Sequence, residues 1–315
     1  MFIDILPIRW YNNLGDNMEK KYLTSAQMAE KWGISERSVR NYCNEGRVNG
    51  AVLIGKIWNI PENAVKPERL NKKKNTNLLD ILKEQKENHL TGGIYHKIQI
   101  ELTYNSNHIE GSRLTHDQTR FIYETNTIGI TEQAVNVDDV IETANHFRCI
   151  DKIIDCANLQ ISEKLIKELH FILKSGTADS RKDWFAVGDY KKLPNEVADR
   201  ETTAPENVHS EIKNLLEDYN SKNDKTIEDI ISFHVAFERI HPFQDGNGRV
   251  GRLLLFKECL KYNIVPFIID DDLKLFYYRG LKEWSVEKGF LIDTCLTAQD
   301  RFKKYLDYFR IPYDG

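Results

Sequence analysis

A histidine–proline pair and two glycines interrupt helical sequence at Ile240-His241-Pro242-Phe243-Gln244-Asp245-Gly246-Asn247-Gly248-Arg249-Val250-Gly251-Arg252. This interruption constrains the fold more than any other stretch. Upstream, Ile227, Ile230, Ile231, Val235, Phe237 and Ile240 recur near the helical period, and Thr226 with Asp229 marks the helix start. Downstream, Val250, Leu253, Leu254 and Leu260 keep the same period as far as Asn263, a stop signal. The segment from His241 to Gly248 is therefore expected to be a turn between two helices.

That turn has the chemistry of an anion site. Gly246 and Gly248 let backbone N–H groups approach a ligand closely. The second helix then starts, and its free N–H groups and positive dipole end point the same way. Arg249 and Arg252 are three apart, hence on one helix face. Two guanidiniums beside a helix N-terminus match a polyphosphate. Asp245 would be repelled by phosphate alone, so it implies a hard cation, most simply Mg²⁺. His241 is the group here able to take a proton near neutral pH. Read singly, each of these residues is as well explained by packing, capping or a solvated surface; the set in twelve residues is not.

His241, Phe243, Asp245, Gly246, Asn247, Gly248, Arg249 and Arg252 meet every position of H-x-F-x-[DE]-G-N-G-R-x-x-R. On these residues the chain resembles the Fic (Fido) family. The resemblance implies a helical catalytic domain that moves AMP from ATP onto a hydroxyl of a target protein. It implies that His241 is the general base and that Asp245 holds Mg²⁺. It assigns Gly246, Asn247, Gly248, Arg249 and Arg252 to the triphosphate, and makes Phe243 a core anchor.

Ile94, Ile98, Leu102 and Ile109 predict a helix ending at Gly111, and Ser106 and Glu110 are i,i+4 on it. Alone, this pair reads as an exposed helix face. Beside the signature, Ser106-Asn107-His108-Ile109-Glu110-Gly111 resembles the family's inhibitory motif, [ST]-x-x-x-E-[GN], placed ahead of the core. By that resemblance Glu110 pairs with Arg252 in the space the γ-phosphate needs.

Between Trp184 and Thr203 the helical rhythm breaks. Gly188-Asp189-Tyr190-Lys191 and Asn195-Glu196-Val197 resemble the β-hairpin flap that clamps a target segment by strand pairing. Lys191 stands where the family usually has arginine, and a lysine cannot fork bidentately. Further helices are expected after Thr115 (with Gln118, a capping box), over Val137 to Cys156, over Ser162 to Leu173, from Pro205, and over Leu273 to Trp284 and Phe290 to Tyr305. On the Val137 helix, Val140, Ile141, Ala144, Phe147, Ile150, Ile153 and Ile154 are expected inward. Tyr277 and Tyr278 are candidates for the adenine side. His209 and His234 are expected to be structural.

The net charge of −4 is unevenly placed. Lys20 to Lys74 holds eight lysines and four arginines against five glutamates, a net of +7, which leaves −11 elsewhere and points the basic part toward nucleic acid. Within it, Thr24 caps a helix over Ser25 to Lys31, with Ala26, Met28 and Ala29 inward. Trp32-Gly33-Ile34 turns, and Ser35 caps a second helix to about Asn44. There Arg37, Ser38, Arg40 and Asn41 are expected to face out. Val52 to Ile60 reads as a hairpin turning near Gly55-Lys56. This plan resembles a winged helix-turn-helix of the excisionase or MerR kind, with Arg37, Ser38, Arg40 and Asn41 as the DNA-reading residues.

Five unclustered cysteines exclude a disulfide frame, and no run reaches the roughly 18 apolar residues of a membrane span. A cytoplasmic protein is expected. The expected fold is mainly α: a Fic-type helical bundle with a small β-hairpin flap over 78–315, its inhibitory helix at 94–111. A winged helix-turn-helix at 20–66 and a linker at 67–77, with its Lys72-Lys73-Lys74 run, precede it. The expected function is AMP transfer from MgATP to a target hydroxyl, restrained by Glu110. Two alternatives stay open: a DNA-binding regulator that uses the Fic domain as a nucleotide sensor, and a de-AMPylase.

Overall fold

Three polar residues shape the first unit of the chain. Thr24 ends strand β1 (Tyr22–Thr24) and caps α1 (Ser25–Trp32) through a reciprocal box with Gln27. Gly33, at φ +65°, takes the left-handed turn, and Ser35 caps α2 (Glu36–Asn44). Strands β2 (Val52–Ile54) and β3 (Ile57–Pro61) follow, in the sheet order β1-β3-β2, antiparallel throughout. Met28, Ala29, Val39, Cys43, Val48 and Ile60 form its core. Ala26, expected inward, is exposed, because the buried stripe of α1 runs through Ser25, Met28 and Ala29.

The computed structural model describes residues 21–67, 77–129, 134–197 and 200–313, in two compact units, 1–72 and 73–315. The Lys72-Lys73-Lys74 run and most of the expected linker lie outside the described residues.

The second unit is mainly helical. In order come α3 (Leu78–Glu87), α4 (Ile94–Ile109), α5 (His116–Thr125), α6 (Val137–Asp155) and α7 (Glu163–Lys174). Two-residue strands β4 (Glu196–Val197) and β5 (Arg200–Glu201) pair antiparallel. Then come α8 (Val208–Ser221), α9 (Ile227–Ile240), α10 (Asn247–Lys261), α11 (Lys274–Glu283) and α12 (Gly289–Phe309). The expected capping box forms at Thr115, and Thr226, expected as a helix start, makes one with Asp229 as well.

Helix α10 is the axis of this unit. Every residue from Asn247 to Leu260 is buried, polar ones included, so the helix is enclosed on all sides rather than packed along one stripe. Its Lys257 and Glu258 tolerate this because they pair at 2.6 Å, while the Tyr219 hydroxyl donates to Glu258 at 2.9 Å. Phe237, Phe243, Val250, Leu253, Leu254 and Phe256 join α4, α6, α7, α9 and α10 in one core. On α6, Phe147, Ile150, Ile153 and Ile154 point inward as expected, but Ala144 is exposed. That helix instead buries Thr143, Asn145 and His146. Asn145 donates to the Leu173 and Ser175 carbonyls at 3.0 and 2.8 Å, closing the end of α7.

Candidate active site

The turn between α9 and α10 is built by backbone conformations that the sequence permits at two places. His241 ends α9 at φ +51°, ψ +61°, and Gly246 stands at φ +86° as the N-cap of α10. Directly after Gly246, Asn247 folds back: its side chain accepts from Phe243 N and donates to Phe243 O, both at 2.8 Å. Phe243 is fully buried and stacks on His170 of α7, ring centroids 3.9 Å apart. Gly188 N donates to His170 Nδ1 at 2.9 Å, so Nε2 carries the proton and donates to the Asp245 carbonyl at 3.1 Å. Gly246 offers α10 no side-chain cap, so the first N–H groups of that helix stay open to a ligand.

Glu110 occupies the space beside those groups. Its Oε1 accepts from Arg252 Nη2 at 2.7 Å, and a Cβ on Gly248 would lie 2.2 Å from that same oxygen. A side chain at position 248 would therefore collide with Glu110. Arg252 is 6% exposed and also donates to Ser106 Oγ at 3.0 Å and to the Ser106 carbonyl at 2.9 Å. That carbonyl is free because α4 ends at Ile109, so the negative end of α4 faces the guanidinium.

Asp245 and Arg249 meet on the other side of the turn. Arg249, 5% exposed, donates to Asp245 Oδ2 at 3.0 Å and to Glu142 Oε2. Lys174, 2% exposed, donates to Asp245 Oδ2 at 2.7 Å, Glu142 Oε1 at 2.5 Å and Asp179 Oδ2 at 3.0 Å. Arg249, Glu142, Lys174 and Asp245 thus close a ring of alternating charge. Burial pushes the Asp245 carboxyl up, but Arg249 and Lys174 outweigh it and hold it below the usual carboxylate range. Burial opposes the charge of Lys174, and the Asp245 and Glu142 carboxylates outweigh that, leaving its pKa raised. Both cations bind one oxygen of Asp245, and its side chain is half-exposed, so Oδ1 fits a divalent cation completed by phosphate oxygens and water. Among the described residues, no three His, Cys, Asp or Glu side chains form a group able to hold a metal ion by themselves.

His241 is partly buried, and burial, with Lys191 second, brings its pKa down to about 4. It is neutral at pH 7, as a proton acceptor must be. Lys191 is 3% exposed and itself lowered to about 8 by burial. Its Nζ donates to Asn195 Oδ1 at 2.7 Å and Thr202 Oγ1 at 2.6 Å, while its backbone N donates to the Pro242 carbonyl at 2.9 Å. The hairpin is further joined to the turn by Asn195 Nδ2 to the Phe243 carbonyl, 3.0 Å, and Leu193 N to Gln244 Oε1, 3.3 Å.

The structure thus gathers Ser106, Glu110, His241, Asp245, Gly246, Asn247, Gly248, Arg249 and Arg252 at one place. Arg249 differs from the reading of two arginines turned to a ligand, since both its terminal nitrogens are bonded within the charge ring. Tyr277 is 1% exposed and bonded to His234 Nε2 at 2.7 Å, while Tyr278 donates to the Ile109 carbonyl at 3.3 Å. His234 is buried and His209 is exposed beside Glu163 at 3.1 Å. In the first unit, Arg37, Arg40 and Asn41 are exposed and Ser38 is partly so; Arg40 pairs with Glu36 at 2.6 Å, and Ser38 bonds Ser35 at 2.9 Å. Glu142, His170, Lys174 and Asp179 escaped the sequence reading. The available signal was on α7, where His170 and Lys174 stand i,i+4 among the inward Ile166, Leu169 and Leu173.

Comparison with known proteins agrees with this geometry. Residues 160–258 match the Fic/DOC family. A protein adenylyltransferase Fic of Nematostella vectensis is 28% identical over 197 residues, 57% of this chain and 42% of its own length. A probable protein adenylyltransferase of Aquifex aeolicus is 62% identical over 37 residues, 11% of this chain and 12% of its own. The chain therefore spans less than half the length of these curated relatives. A Fic domain containing signaling protein from Bacteroides thetaiotaomicron has a similar solved structure, with TM-score 0.54 at 26% identity over 73% of this chain and 90% of that one. The matched residues, the turn they contain and the shared helical fold identify a Fic/DOC family domain in this chain.

Proposed function

We propose that the chain transfers AMP from ATP to a hydroxyl side chain of a target protein, and that Glu110 restrains the reaction. One observation carries this reading: the Glu110 carboxylate lies on Arg252 and against Gly248, at the open N-terminus of α10. A carboxylate held there stands in for a phosphate, with fewer oxygens and less charge. In the reaction, the target oxygen attacks the α-phosphorus, His241 takes its proton, and the bond to the bridging oxygen breaks to release pyrophosphate. Gly246, Asn247 and Gly248 bring backbone N–H groups to the phosphates, and Arg252, once free of Glu110, binds the leaving end. Arg249 acts on the phosphates through the charge it fixes beside Asp245. Mg²⁺ held by Asp245 neutralises phosphate charge when bound. The β4–β5 hairpin offers an edge for an extended target segment.

The test is incubation of the parent, Glu110→Gly and Glu110→Gly/His241→Ala proteins with α-labelled ATP and Mg²⁺. Label on Glu110→Gly alone is expected. Failure of Glu110→Gly to exceed the parent would remove the restraint.

A second reading concerns the first unit. Its α2 presents Arg37, Arg40 and Asn41 outward next to a hairpin, the arrangement a DNA-reading helix needs. A DNA shift weakened by salt, with a slope of about 0.9 per phosphate neutralised, is expected from it. No shift at low salt would sink it.

A further inference from the structure

The ring of Arg249, Glu142, Lys174 and Asp245 contains a group that the proposed reaction does not use. Lys174 comes from the last turn of α7, with its side chain almost entirely buried at 2% exposure. Three carboxylates from three other parts of the chain converge on its Nζ: Glu142 of α6 at 2.5 Å, Asp245 of the turn at 2.7 Å, and Asp179 of the short 3-10 turn Asp179–Arg181 at 3.0 Å. This is how a cation site is built, with oxygen donors from separate elements around one charge. Here the charge is covalently part of the chain. The ammonium uses its three donors on three acceptors, so none is left unsatisfied.

Electrostatics sets the consequence. Asp179 also pairs with Lys182 at 2.7 Å, so with Lys174, Arg249 and Lys182 present the three carboxylates are balanced. Without Lys174 they would carry one uncompensated negative charge, in a place where Coulomb terms are large. We infer that Lys174 is the resident cation of this site: a positioning residue whose ammonium holds Asp245 in place and keeps the chain from taking up a divalent cation until nucleotide phosphates supply the remaining ligands. The inference deepens the proposed function, because the consequence for ATP rests on Asp245 serving the nucleotide. The cation preference itself rests only on the three carboxylates around Nζ.

The excess of Mn²⁺ on the protein side of an equilibrium dialysis reports this, since Mn²⁺ held by free nucleotide is equal on both sides. The full chain is titrated with Mn²⁺ alone, then with Mn²⁺ and a non-hydrolysable ATP analogue. The parent is expected to take up Mn²⁺ only with the nucleotide. Lys174→Met keeps the length of the stem without its charge and is expected to bind Mn²⁺ alone at least about tenfold more tightly than the parent. Lys174→Arg restores the charge and is expected to return toward the parent. Thermal melts establish that each variant is folded. Equal Mn²⁺ affinity in folded Lys174→Met and the parent would overturn the inference. So would Mn²⁺ binding by the parent without nucleotide as strong as its binding with nucleotide, a measurement that needs no variant. If the analogue draws no Mn²⁺ to the parent, the nucleotide reading fails, and the comparison of the parent with Lys174→Met in Mn²⁺ alone still decides the role of Lys174.

Discussion

Arg252 binds α4 twice through one residue: its Nε donates to the hydroxyl of Ser106 at 3.0 Å and its Nη2 to the carbonyl of Ser106 at 2.9 Å. Glu110 therefore shares the guanidinium with two contacts from Ser106. Ser106→Ala removes the hydroxyl contact and keeps the carbonyl and Glu110. It should release the arginine partly, raising nucleotide affinity by less than Glu110→Gly does, with the larger change in the range of about 5- to 150-fold. Calorimetric titration of both variants with an ATP analogue gives the order. An effect of Ser106→Ala equal to that of Glu110→Gly would mean that the hydroxyl carries the latch.

His241→Ala in a Glu110→Gly background should lower the transfer rate by roughly 10²- to 10⁴-fold while leaving analogue affinity within a few-fold. Burial and Lys191 hold His241 down to about 4, so the base is already neutral at pH 6. The acid limb of the rate profile is expected below pH 5. A limb near 6.5 would show an ordinary, solvated histidine.

Glu238 supplies a pH effect on stability. Its residue is half-buried, but Oε1 is buried without a hydrogen-bond partner, and burial pushes the carboxyl from 4.5 up to about 8. The folded chain keeps a proton that the unfolded chain loses above about pH 4.5, so stability from this group falls as pH rises toward 8. Glu238→Gln cannot ionise. It should gain on the order of 1–3 kcal/mol over the parent at pH 8, and much less at pH 5, in urea unfolding.

His146 and His234 act in the opposite direction. Both are buried, and burial lowers each to about 3, with Arg249 and Arg252 adding to it at His146 and Arg252 at His234. They are neutral when folded and protonate below about 6.5 when unfolded, so their contribution is complete above that pH and is lost as pH falls toward 3. Each should contribute roughly 1.4 kcal/mol of lost stability per pH unit over that window. Urea midpoints that do not fall between pH 7 and pH 5 would contradict this.

The helices were legible wherever a cap and a period agreed. Thr24, Ser35, Thr115 and Thr226 each start the helix that their side chains announce. Strand β1 was not legible, because a three-residue strand has no period of its own and exists through pairing with β3. The turn from His241 to Gly248 could be read because its chemistry is local. The charge ring could not, because Glu142 of α6, Lys174 of α7, and Asp245 and Arg249 of the turn into α10 lie far apart in the chain and meet only through tertiary packing. Ala144 shows the same limit: periodicity counts it as apolar, but helix α6 turns its polar Asn145 and His146 inward to serve α7 and α4.

The bonds from Lys191 and Asn195 to the carbonyls of Pro242 and Phe243 fix the height of the hairpin above His241. A target strand paired with β4 would have its backbone held at one set distance from the base. Whether a serine, a threonine or a tyrosine hydroxyl arrives there then becomes a matter of side-chain reach. In the proposed reaction the hairpin would act as a ruler, its zero mark set by the carbonyl oxygens of Pro242 and Phe243.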